Sequence, residues 1–148
     1  MDNLARALEL RRRLAAWSDA VQREAADLTD GYRDLLTKRI TNAQLSGLHN
    51  VVQAAPSFRQ IKQFVAHQGE KASRAGRDDV ADYWDAVGKA FEGLRRPAEQ
   101  IWADVPGGPA PGTPDARQAL DEWHCRLVRE FVQHLVAHSL WARPASRR

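Results

Sequence analysis

Sulfur is scarce in this chain: one cysteine and one methionine stand in 148 residues. The lone thiol, Cys125, closes no internal disulfide, which suits a reducing, cytoplasmic setting. No apolar run approaches the ~18 residues that a membrane-spanning helix needs, so no membrane partner is expected. Behind Arg6 and Arg11–Arg13 no apolar core of a secretion signal follows, and none is expected. Strand-like alternation never lasts beyond a few residues. Gly-x-Ser-x-Gly, the dinucleotide fingerprint, the P-loop and Cys-x-x-Cys are missing, as are zinc-finger and winged patterns. These absences point away from an enzyme and from any cofactor.

Helix signals fill most of what remains. Thr41 is followed three positions on by Gln44, and Ser57 by Gln60, each at the head of an apolar series, as in a capping box. Pro56 disfavours helix in Ala55. The reading is a helix over Asn42–Ala54, a short turn, and a helix over Phe58–Ser73. Upstream, Ala7, Leu14, Val21, Leu28 and Leu35 form a seven-residue row beside Leu10 and Trp17, a stripe for packing in a bundle, with a break expected near Gly31. Downstream, Asp78–Asp79 open a helix with Val80, Tyr83, Trp84, Val87, Phe91 and Leu94 on its apolar side, and Pro97 kinks or restarts it. Residues 106–114, PGGPAPGTP, read as a flexible connection. Thr113-Pro114-Asp115 then starts a last helix that buries Leu120, Trp123, Leu127, Phe131 and Leu135. A basic tail, 142–148, follows. The expected fold is all-α: one domain over 1–148, a helical bundle of about five helices.

Charge is unevenly spread although the net value is only +3. Residues 57–77 carry +4, whereas residues 78–104 carry −4. A basic helix followed by an acidic one suggests two poles that steer an anion or let copies pack head to tail. On helix 58–73 the apolar side holds Phe58, Ile61, Phe64, Val65 and Ala72. Arg59, Lys62, Gln63, Arg74 and Arg77 fall opposite. Such a stripe suits phosphates, because each one neutralised releases counterions. A merely solvated helix face explains the same pattern.

Other chemistry is thin. His134 and His138 have a spacing that can seat a metal, but no HExxH glutamate accompanies them and no metal is expected. Asp78, Asp82 and Asp85 share a face, ordinarily a solvated one. Segment 41–73 also fits a helix-turn-helix, which keeps a DNA-binding regulator open. A helical protein–protein adaptor acting through Trp17, Trp84 or Trp141 is a third reading.

Three stretches together resemble the small helical subunits of type III CRISPR effector complexes. KRITNAQLSGLHNVV is similar to that family's helix-start signature, FRQIKQFVAHQGEKASR to its second signature, and FVQHLVAHSLW to its C-terminal helix, in order across Lys38–Trp141. The chain departs from the pattern at Ser46, where Arg is common, at His67, which replaces an aromatic, and at Glu70. The resemblance implies a non-catalytic ribonucleoprotein subunit that contacts the backbone of guide and target RNA, stacks with copies of itself and joins other effector subunits. It carries over Lys38 and Arg39 before the first signature, and Lys71, Arg74 and Arg77 after the second. Arg59 and Lys62 come from the stripe alone.

Overall fold

At the first internal helix start the cap closes in both directions. The Thr41 hydroxyl accepts from Gln44 N at 3.1 Å, and Gln44 Oε1 accepts from Thr41 N at 2.8 Å. At Ser57 only the forward half forms, from Gln60 N at 3.4 Å. Thr113 accepts from Ala116 N at 3.2 Å, with Pro114 the first helical residue. Built from such starts, the computed structural model describes residues 2–141, and the expected basic tail at 142–148 lies outside them. The described residues form seven helical segments and no strand: α1 Asn3–Gly31, α2 Arg33–Lys38, α3 Asn42–Ala54, α4 Phe58–Arg74, α5 Asp78–Gly93, α6 Arg95–Asp104 and α7 Pro114–Trp141. None of these helices is long and apolar enough to cross a membrane.

Two of the seven are continuations. α1 breaks at Tyr32, next to Gly31, and resumes as α2. α5 breaks at Leu94 and resumes as α6, with Pro97 as its third residue. Proline fits there because the first turn of a helix has no intrahelical partner for its amides. Counting each interrupted pair as one gives the five-part all-α bundle.

The core lies around α7, which packs on α1, α3, α6 and α4, while α4 and α5 form the most intimate pair. Tyr83, Trp84, Val87 and Phe91 of α5 are buried, as are Leu127, Phe131 and Leu135 of α7. Burying each such side chain contributes about 1.5–3 kcal/mol relative to exposure. Ser18 of α1 touches Glu130 and His134 of α7, and Arg6 shares a pocket with Trp123 and Arg126, so α1 and α7 run side by side in the same direction.

α1 departs from the expected row. Its buried positions are Arg6, Leu10, Leu14, Ser18, Val21, Ala25 and Thr29, while Ala7 is exposed. The 106–113 connection has no regular structure, as its composition requires, but it folds back until Gly108 lies on Arg6.

Candidate nucleic-acid interface

α4 ends in a turn that only a glycine completes without strain. Arg77 N donates to Ala72 O at 2.9 Å, and Gly76 N donates to Ser73 O at 3.0 Å. Gly76 takes φ +73°, the left-handed conformation of a Schellman cap. The turn sends α5 back antiparallel to α4, with Lys62 facing Glu92 and Gly69 against Trp84. The turn places the last turn of α4 and its basic residues beside the start of α5.

Ile61, Val65 and Ala72 of α4 face the core. Arg59, Lys71, Arg74 and Arg77 are exposed and form no ion pair among the described residues. Arg74 Nε donates to Glu70 O at 3.4 Å, a weak bond that leaves the guanidinium in solvent. By helix rise, Arg59 and Arg74 stand roughly 22 Å apart along the axis.

Of the other expected site residues, Arg39 and Lys62 are engaged and, among the described residues, Lys38 is not. Arg39 pairs with Asp79 at 2.7 Å, which brings the turn between α2 and α3 against the start of α5, near Arg77. Lys38 is exposed beside it, yet the hollow that both line also holds Asp30, Asp34, Asp79 and Asp82. Lys62 lies on the edge turned toward α5 and pairs with Glu92 at 2.6 Å. Both pairs are solvent-facing and worth at most about 1 kcal/mol each. The structure thus groups Lys38, Arg39, Lys71, Arg74 and Arg77 toward one end of the α4–α5 hairpin and leaves Arg59 and Lys62 at the other.

The expectation of two charged poles needs revision. Because α4 and α5 are antiparallel neighbours, the acidic row Asp78, Asp82 and Asp85 runs beside the basic row, and Lys89 bridges to Asp85 at 2.9 Å. The side chains of the acidic row are exposed.

The roles of several polar residues were not foreseen from the sequence. Ser18 is buried, and its hydroxyl donates to Glu130 Oε2 at 3.0 Å. Ser18 Oγ also lies 2.9 Å from His134 Nε2, so His134 joins the clamp between α1 and α7. His124 is buried, stacks on Phe58 at 4.0 Å between centroids, and meets the Phe91 carbonyl through Nε2 at 2.8 Å. Burial holds its imidazole below the usual histidine range. Cys125 is likewise pushed up by burial, to about 11, and is not a reactive thiolate. An i,i+4 spacing from Glu130 to His134 was the one local hint of any of this. No protein family matches the chain, and neither does any curated protein or solved structure.

Proposed function

We propose that this chain is a non-catalytic RNA-backbone-binding subunit of a CRISPR-type ribonucleoprotein, gripping phosphates with the outer face of α4. What supports the reading is the set Arg59, Lys71 and Arg74 on α4 with Arg77 just past its end, all exposed and without carboxylate partners among the described residues. Helix surfaces rich in cations are commonly laced with acids at i,i+3 or i,i+4. Here α4 has one acid, Glu70, and no ion pair with it. Cations left unpaired by their own helix are free to replace the counterions of a polyphosphate. No base-reading group is required, so sequence preference should be weak. Other subunits of the complex and copies of this chain are the remaining partners, and a cytoplasmic setting goes with them.

The test is fluorescence anisotropy with single-stranded RNA at several salt concentrations. Four phosphate contacts give a log–log salt slope near about −3, hence roughly a 50-fold loss between 50 and 200 mM salt. Arg74→Glu together with Arg77→Glu should abolish most binding. The second change places an acid at the start of α5, where the helix dipole tolerates it, so the fold should survive. Lys62→Gln, already neutralised by Glu92, should alter affinity about twofold or less. Unchanged binding by the double variant removes this face from the site. Tighter, sequence-dependent binding to duplex DNA supports the regulator reading instead.

A further inference from the structure

Arg6 is the least expected buried residue in the molecule: an arginine only 7% exposed, at the end of the first turn of α1. Its Cζ sits 4.1 Å from the centre of the Trp102 ring. Gly108 lies so close that a Cβ there would come within 2.9 Å of both Cζ and Nη2. The group is held between an indole and a glycine that has no side chain to interfere. Stacking supplies attraction, but it does not satisfy hydrogen-bond donors. Nε and Nη2 are buried with no partner among the described residues, and no carboxylate pairs with them. These two nitrogens form one edge of the guanidinium, the fork that takes two oxygens of a carboxylate or phosphate in parallel. Arginine does not escape by losing its proton.

The surroundings favour a doubly charged anion. Arg6 lines a pocket of about 350 Å³ with Asn3, Arg11, Glu122 and Arg126, three cations to one acid. Glu122 makes no ion pair with any of them. Beyond Gly108 and Pro109 a second hollow, about 680 Å³, runs between Trp102 and the proline-rich strap, with Val105 and Leu120 in its wall. The strap turns on Gly107 and Gly108, at φ +96° and +89°. A polar, positively charged compartment therefore adjoins an apolar one across a short glycine hinge.

We propose that this is a binding site for a phosphate monoester, with Arg6 as the anchor for the phosphate and the Trp102 hollow for an apolar or planar body. Entry requires residues 107–109 to lift from the guanidinium. The site shares no residue with the α4 face, so it stands or falls separately from RNA binding.

The experiment titrates the full-length chain with inorganic phosphate, AMP and adenosine at constant ionic strength, following tryptophan fluorescence and melting temperature. AMP should saturate, bind at least about tenfold tighter than free phosphate, and raise the melting temperature. Adenosine should bind at least about tenfold more weakly than AMP, lacking the charge-assisted bonds. Arg6→Met keeps the stem, removes the unpaired charge, and should abolish the response while folding normally. Should that variant fold poorly, Arg6→Lys retains the charge without the fork and should still weaken AMP about tenfold or more. Arg74→Glu/Arg77→Glu should respond as the parent does. No saturable response up to about 10 mM AMP, adenosine binding as tightly as AMP, or an undiminished response in the folded Arg6 variants would each overturn the proposal.

Discussion

Arg129 shows how a single proline sets a demand that a distant residue meets. The carbonyl of Val52 would ordinarily accept from the amide four residues on, but that residue is Pro56 and has no N–H. Arg129 of α7 supplies the missing donors, Nε to Val52 O at 3.2 Å and Nη2 to Ala55 O at 3.2 Å. Bonds from a charged donor are worth about 1.5–3 kcal/mol, so Arg129→Met should lower stability by about that much in urea unfolding with an unchanged m-value. A loss under about 0.5 kcal/mol would mean that solvent satisfies the end of α3 unaided. His124 carries a different burden. Its Nε2–H is given to the Phe91 carbonyl, which leaves Nδ1 buried without a partner, and protonation there finds no acceptor. Its folded pKa is depressed by burial, so the unfolded chain binds the proton more readily. Stability from this residue is present above the unfolded value, about 6.5, and is lost as pH falls below it. The difference in unfolding free energy between the parent and His124→Phe should therefore shrink from pH 7.5 to pH 5.5. A constant difference would show that the ring titrates alike in both states.

Among the elements, the α4–α5 hairpin depends most on one backbone conformation. Gly76→Ala puts a Cβ into the left-handed region, at a cost of about 1 kcal/mol, and should lower the melting temperature by roughly 2–4 °C. Calorimetry checks it; an unshifted transition would mean that the cap relaxes without loss. Helix boundaries were readable from the sequence where caps are local: Thr41 with Gln44, Pro56, Thr113 with Pro114. The apolar faces of α5 and α7 were readable for the same reason, since periodicity needs no knowledge of the partner. α1 was not. A seven-residue row through Ala7 ignores that Trp102 and Gly108, about a hundred residues away, close over Arg6 and bury a cation where an apolar residue is expected. The candidate site divides along the same line. That α4 carries cations outward follows from helical spacing, whereas the capture of Arg39 by Asp79 and of Lys62 by Glu92 depends on how the docking of helices brings together residues 30 or more apart.

At the scale of the whole molecule, the parallel course of α1 and α7 separates two exposed apolar patches. Leu4 and Leu8 stand at one end, 70% and 55% exposed; Leu140 and Trp141 stand toward the other, 47% and 87% exposed. Counting α1 residues between the levels of Leu4 and Leu140 puts the patches on the order of 30 Å apart. Two copies lying antiparallel about a two-fold axis would join both patches at once and stop at a dimer, whereas an end-to-end contact joins one patch to the other and does not close. If copies stack end to end, as the ribonucleoprotein reading holds, the contact joining these patches is head to tail and leaves one of each unfilled after every addition. Sedimentation velocity over rising concentration should then give a graded series of species. Leu4→Ser with Trp141→Ser, both at exposed positions and so of little consequence to the fold, should collapse that series to monomer. Because the pairing is apolar, raising salt should leave it intact while RNA is released from α4. A double variant that sediments as the parent does would place any self-contact elsewhere, and salt-driven dissociation would assign it to the charged α4–α5 rows.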